Sequence, residues 1–378
     1  MTAKAEIRNG VDPLNVLRMI AAMCVFVLHS TLFTDTSFFG SDLTFIFRAP
    51  AWGGVWIFFL LGGYLAGKSF STQRYSCNLT GAKKYYIKRV KKVLLPTWAF
   101  IFIVAVLAFP GFIPENPVTL YKIALSMYRG IPGVDGIGAC WYIFVSVWFY
   151  LATPWFCKLM GLIQKRFYPL MFFAVWLVGM GFRFTARECF LDWYSVVYAS
   201  VPGGADLYFA GVILAYCTDR NLSAPARVNH NLLKAAAYGV LLTLILSNCW
   251  IYNEGILHNP KMIEVYQYIY PSLYLLITSF YIVVLDMIPH PTSSQPQPYA
   301  QRILGHITSA FSNIAFEFYL FHSLVLNRIS PYISGENALC RYLKLLLLAA
   351  VITIILSVGF HRAFLPRREM TAESKRPA

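Results

Sequence analysis

Ten apolar stretches dominate this 378-residue chain, and each approaches the ~20 residues that a helix needs to cross a bilayer. They run over about 13–33, 51–70, 90–110, 139–160, 168–184, 202–218, 232–251, 268–288, 308–329 and 342–362. A backbone in hydrocarbon must satisfy its polar groups internally, so stretches of this length are helices. Composition agrees. Hydrophobic residues make up 58% and charged residues 13%, where a soluble chain carries about 25% charged. Mean hydropathy is +0.56. The expected fold is an all-α polytopic membrane protein of about ten transmembrane helices. No stretch has the polar composition of a separate soluble domain. The first apolar run lacks a small-residue cleavage site and reads as a retained helix.

Basic residues set the expected orientation. With the N-terminus placed in the cytoplasm, the inner segments hold 23 of the 32 Lys and Arg and the outer segments hold 9. Both termini then lie inside. The formal charge of +15 becomes a property of the cytoplasmic face, which argues against a nucleic-acid partner. The eight cysteines are scattered, with no CxxC or Cys/His cluster, so neither a metal site nor a disulfide framework is indicated. A disulfide among Cys140, Cys189, Cys249 and Cys340 stays open, because all four can face outward.

Ionisable residues inside apolar segments are expensive and mark function by default. The first segment holds two, Arg18 and His29. Eleven residues separate them, about three turns plus 20°, so they share one stripe of a helix ~16 Å apart. The ninth segment holds Asn313, Glu317, Tyr319 and His322. Glu317 and His322 point about 140° apart, so Glu317 is expected to meet a partner on another helix. On the outer side Trp141 and Tyr142 open the fourth segment, Arg183, Arg187, Glu188 and Asp192 flank the fifth, and Asp206 opens the sixth. The Trp and Tyr suit a membrane-belt anchor, and the Arg/acid cluster suits either structural pairing or a polar ligand.

The inner loop before the third segment is strongly basic. Lys83, Lys84, Lys88, Arg89, Lys91 and Lys92 fall within ten residues, and no acid occurs in 68–92. Contact with anionic lipid explains such a run. So does a phosphate site for a soluble nucleotide such as coenzyme A, held by Lys88, Arg89, Lys91 and Lys92. The second segment carries Gly53, Gly54, Gly62, Gly63 and Gly67. Gly63-x-x-x-Gly67 is a close-packing pattern, and a bare helix side also leaves room for a narrow acyl chain.

These landmarks, taken in order, resemble the acyltransferase-3 family of integral membrane O-acyltransferases. The resemblance rests on Leu17-Arg18 with His29, Phe58-Phe59-Leu60-Leu61-Gly62-Gly63-Tyr64-Leu65, the basic run 88–96 ending in Pro96, Trp141-Tyr142, Tyr208-Phe209-Ala210-Gly211, and Tyr319-Leu320-Phe321-His322. It spans about residues 12–365. Departures are Asn15 in place of an acid, Gly62 in place of Ser, and Lys88-x-x-Lys91 in place of a paired-Arg motif.

The resemblance implies transfer of an acyl group, most simply acetyl, from cytoplasmic acyl-CoA. The acceptor it implies is a hydroxyl of a cell-surface glycan or lipid-linked saccharide, at a bacterial cytoplasmic membrane. No permanently bound cofactor is expected. His29 becomes the candidate general base or acyl relay, and Arg18 the group that orients the thioester end. Glu317 or Asp206 is expected to orient His29, with His322, Tyr319, Trp141 and Tyr142 as further site or support residues. The chain reads as one membrane domain with a short polar tail, 366–378. The alternatives from other classes are a transporter or flippase for a polar lipid or glycan, and a non-catalytic membrane subunit.

Overall fold

The computed structural model describes residues 11–30, 37–38, 41–42, 50–108, 140–189, 191–218, 229–257, 259–288, 298–334 and 338–364. Within these residues the chain is all-α apart from one two-residue strand pair, β1 (Ser37–Phe38) and β2 (Ser41–Asp42), antiparallel with Ser37 opposite Asp42. Helices α1 (Pro13–His29), α2 (Pro50–Ser71), α3 (Leu79–Arg89) and α4 (Leu95–Ala108) come first. Then follow α5 (Trp141–Leu162), α6 (Tyr168–Glu188), α7 (Val201–Thr218), α8 (His230–Leu257), α9 (Pro260–Met287), α10 (Tyr299–Ile329) and α11 (Ala338–Phe364).

All ten expected segments fall on helices. Six helical stretches among the described residues are long and apolar enough to cross a membrane: 141–162, 165–188, 193–218, 230–252, 260–287 and 339–364. These match six of the ten. The remaining four lie on α1, which has 17 residues, on α2 with 22, on α4 with 14, and on α10 with 31. The outward face of the bundle is apolar, with Phe102, Val178, Leu347 and Ile355 all more than half exposed. Such a face is stable only against another apolar phase, as in a multi-pass membrane protein.

Helix α2 lies at the centre and packs against α1, α5, α7, α8 and α9. Its glycines are filled by protein. A Cβ on Gly63 would stand 1.9 Å from the Tyr208 carbonyl of α7, and one on Gly211 of α7 would stand 2.1 Å from the Leu60 carbonyl. The two backbones therefore touch, as small-residue membrane interfaces do. This corrects the acyl-chain reading of that bare side, because α7 occupies it.

Three boundaries differ from expectation. The first helix ends at His29, not at 33. The Ser30 amide closes onto the Phe26 and Val27 carbonyls, and its hydroxyl donates to Val27 O at 2.5 Å. Residues 31–33 lie outside the described residues. The basic run 83–92 is helix, not loop. Asn78 caps α3 by accepting from the Gly81 amide at 2.8 Å, and a π-helical turn at Val90–Leu94 joins α3 to α4 without a break. Finally, most of the stretch between the seventh and eighth segments, 252–267, is helical, because α8 runs to Leu257 and α9 starts at Pro260. Residues 111–138, 289–297 and 366–378 lie outside the described residues.

Candidate active site

Helix α1 begins with Asp12 accepting from the Leu14 amide at 2.9 Å and with Pro13 in its first turn. It packs on α2 and α10. His29 is its last residue and lies on the wall of a cavity of about 110 Å³. His29 is exposed, so its ring is open on that side. The other walls are the aromatic side chains of Trp52, Trp141, Tyr194, Tyr198 and Tyr319, with aliphatic contributions from Val25, Leu28 and Val55. None of these carries a formal charge. The volume corresponds to about four waters, enough for an acyl group or a hydroxymethyl group but not for a drug-sized ligand.

The aromatic wall is held from behind. Pro271 interrupts the hydrogen-bond ladder of α9, since it has no amide hydrogen to give to the Gln267 carbonyl. The Trp193 indole takes that acceptor at 3.2 Å. Trp193 in turn stacks on Tyr198, with centroids 5.3 Å apart and planes at 12°, and lies 4.4 Å from Trp52. A freed backbone acceptor thus fixes the orientation of two cavity residues.

The ring of His29 meets one polar group from another helix. His322 of α10 places Nε2 2.9 Å from His29 Nδ1, and its own Nδ1 lies 2.6 Å from the Tyr319 carbonyl. His322 is 1% exposed. The two imidazoles are therefore in direct contact. Residues 29 and 322 are too far apart in sequence for any spacing rule to pair them.

Arg18 stands three turns down α1 and donates to the Ser312 hydroxyl of α10. It lies within electrostatic range of Asp12 and Tyr142. Tyr142 packs on Phe59 at 4.8 Å and on Tyr319 at 5.6 Å. Below it on α5, the Ser146 hydroxyl is within hydrogen-bond reach of both Tyr142 and Tyr150. Tyr150 forms half of a sandwich around Arg89, whose guanidinium carbon is 4.7 Å from that ring and 4.9 Å from the Tyr85 ring. A polar seam thus runs along α5 from Arg18 to Arg89.

The four basic candidates do not act as one face. Arg89 turns inward onto tyrosines, Lys88 and Lys92 are half-buried, and Lys91 is exposed. The π turn offers the reason, since it inserts an extra residue and breaks the i, i+4 register assumed for a regular helix.

Two expected orienting residues are placed elsewhere. Asp206 is paired with Arg183, at 3.2 Å and 2.5 Å, and Arg183 also donates to Ser272 at 3.3 Å. Both side chains are essentially inaccessible, and Gly179 leaves the room that the carboxylate fills. Glu317 binds His361 of α11 at 2.8 Å through Oε1. The expectation that Glu317 finds a partner on another helix holds, and the expectation that it or Asp206 orients His29 does not. The geometric cause is that Glu317 and His322 leave α10 in different directions. The other charges flanking α6 are also engaged. Arg187 binds Glu264 at 2.6 Å and Glu188 at 3.0 Å, and Asp192 caps the turn that starts at Trp193 by accepting from the Ser195 amide. Among the described residues no disulfide joins the cysteines.

Trp52, Tyr194 and Tyr198 were not singled out from the sequence. The run Trp193-Tyr194-Ser195-Val196-Val197-Tyr198 was a signal, since three aromatics in six residues between two apolar segments exceed what a belt anchor needs.

The fold and cavity define a class: an all-helical, multi-pass membrane protein with a histidine facing a small neutral pocket. The acyltransferase-3 family model, described as an acyltransferase domain, matches residues 12–361, and the chain belongs to that family. It is a membrane acyltransferase. No curated protein and no solved structure matches the chain.

Proposed function

We propose that the chain is an O-acyltransferase that moves an acetyl group from cytoplasmic acetyl-CoA to a hydroxyl of a cell-surface glycan or lipid-linked saccharide. The observation that carries this reading is His29 on the wall of the small uncharged cavity, on the same helix as Arg18. The pocket volume suits a two-carbon acyl group meeting a hydroxymethyl group. Its aromatic walls suit the apolar face of a sugar ring while the tyrosine hydroxyls contact its rim.

His29 accepts the acceptor's hydroxyl proton as the oxygen attacks the thioester carbonyl. The C–S bond breaks, an ester C–O bond forms, and the thiolate of coenzyme A takes the proton back from the imidazole. Nothing else is consumed. Arg18 and the seam through Tyr142, Ser146 and Tyr150 lead from the cavity toward Arg89, with Lys88, Lys91 and Lys92 beside it as the collecting charge for the donor phosphates. We place the basic face in the cytoplasm, with ten spans, both termini inside, and a bacterial cytoplasmic membrane as the site.

The test is incubation of the purified protein with radiolabelled acetyl-CoA and candidate saccharides. Label in the saccharide, lost in His29→Ala while membrane insertion is kept, supports the reading. Wild-type rates from His29→Ala refute the role of His29, and acceptor movement without consumption of acetyl-CoA selects a transporter instead.

A further inference from the structure

We infer that His322 is a positioning residue that fixes the tautomer of His29 and leaves its Nε2 as the lone pair facing the cavity. The inference deepens the acyltransferase reading and rests on it for the role of that lone pair.

One group in the chain of contacts has an unambiguous role. A backbone carbonyl only accepts. His322 Nδ1 lies 2.6 Å from the Tyr319 carbonyl, so Nδ1 carries the hydrogen. With Nδ1 protonated, a neutral His322 presents Nε2 as an acceptor. That atom lies 2.9 Å from His29 Nδ1, so His29 Nδ1 is the donor. The hydrogen on His29 therefore sits on Nδ1, and Nε2 is left bare.

Two features make this a device for catalysis as well as a packing contact. The N···N contact accommodates one hydrogen, because two N–H groups cannot face each other at 2.9 Å. The two rings are therefore never both charged, and the neutral His29 imidazole is the competent base. When His29 takes a proton at Nε2, its Nδ1–H keeps its acceptor, so the contact survives the step and strengthens as the ring becomes charged. An imidazole here does what a carboxylate does in many hydrolases, without adding a charge to a pocket that contains none. The anchor is rigid. His322 is 1% exposed, and Tyr319, which supplies the fixing carbonyl, is itself a cavity wall. The tautomer is thereby set by the backbone of the helix that also shapes the pocket.

The experiment uses two variants and one spectroscopic readout. His322→Leu removes the acceptor and is expected to lower kcat by about 10²-fold, with the KM for acetyl-CoA and for the saccharide within about twofold of wild type. His322→Gln places an amide oxygen near the position of Nε2 and is expected to recover kcat to within about tenfold of wild type. A kcat for His322→Leu within threefold of wild type overturns the inference, and so does a His322→Gln variant no better than His322→Leu. Protein labelled with ¹⁵N-histidine gives a reading independent of turnover and of variant folding. The expected spectrum has hydrogen on Nδ1 of both residues 29 and 322 and none on Nε2 of His29. Hydrogen on His29 Nε2 overturns the assignment. Wild-type protein that transfers no acetyl group refutes the acyltransferase reading alone, since the spectrum still decides the tautomer.

Discussion

Cutting the Arg183–Asp206 pair separates a structural role for Asp206 from a chemical one. The pair joins α6 to α7 with two contacts of 3.2 Å and 2.5 Å, and its side chains are 1% and 2% exposed. Asp206→Leu leaves a buried guanidinium whose remaining side-chain acceptor is Ser272 at 3.3 Å. Breaking such a pair from one side costs about 3–5 kcal/mol, because an uncompensated charge stays behind. That is roughly a 10²–10⁴-fold rise in the unfolded population. Arg183→Met strands the carboxylate at a similar cost. The double variant Arg183→Met/Asp206→Leu removes both charges and is expected to fall within about 1 kcal/mol of wild type or above it. The double-mutant cycle therefore has a coupling larger than either residual effect. The assay is denaturant unfolding in detergent micelles, read by tryptophan fluorescence, with acetyl transfer per folded molecule measured beside it. Single variants as stable as wild type, or a double variant as unstable as the sum, refute the argument. An Asp206→Leu protein that stays folded but stops transferring acetyl groups places Asp206 in the chemistry.

Other outcomes follow from the same geometry. Gly63→Ala puts a methyl 1.9 Å from the Tyr208 carbonyl, so α2 and α7 must part. The expected loss is ~3 kcal/mol or more in the same unfolding assay, beyond ordinary core overpacking because the obstacle is backbone. Arg89→Lys loses contact with two ring faces and is expected to raise the acetyl-CoA KM about 2–5-fold, while Lys91→Gln changes it by less than twofold, as steady-state kinetics will show. Pro271→Ala restores an amide donor to the Gln267 carbonyl and competes with Trp193. The expected result is a raised acceptor KM with donor KM unchanged, and a shifted tryptophan emission.

The helices were legible because their signal is local. A run of twenty apolar residues dictates a helix whatever surrounds it, and the Arg18–His29 stripe follows from helical period alone. The Gly63-x-x-x-Gly67 pattern announced a close backbone approach, though not that α7 would fill it. What stayed hidden depends on the third dimension. Acids were assigned to His29 because carboxylates commonly orient a catalytic imidazole, yet Asp206 and Glu317 were already committed to Arg183 and His361. The π turn at 90–94 has no sequence signature of its own, so the basic residues were grouped by a register that the helix does not keep. The cavity walls come from α1, α2, α5, the Trp193–Tyr198 turn and α10, and no window of sequence contains more than a fraction of them.

The contact between His29 and His322 also sets a clock on biosynthesis. The two residues are 293 positions apart. A ribosome adding about 5–20 residues per second needs roughly 15–60 s to pass from one to the other. Throughout that interval α1 is made and its imidazole has no His322 to receive its hydrogen. The base is completed only when α10 arrives. A chain stopped anywhere before that helix lacks the completed pair.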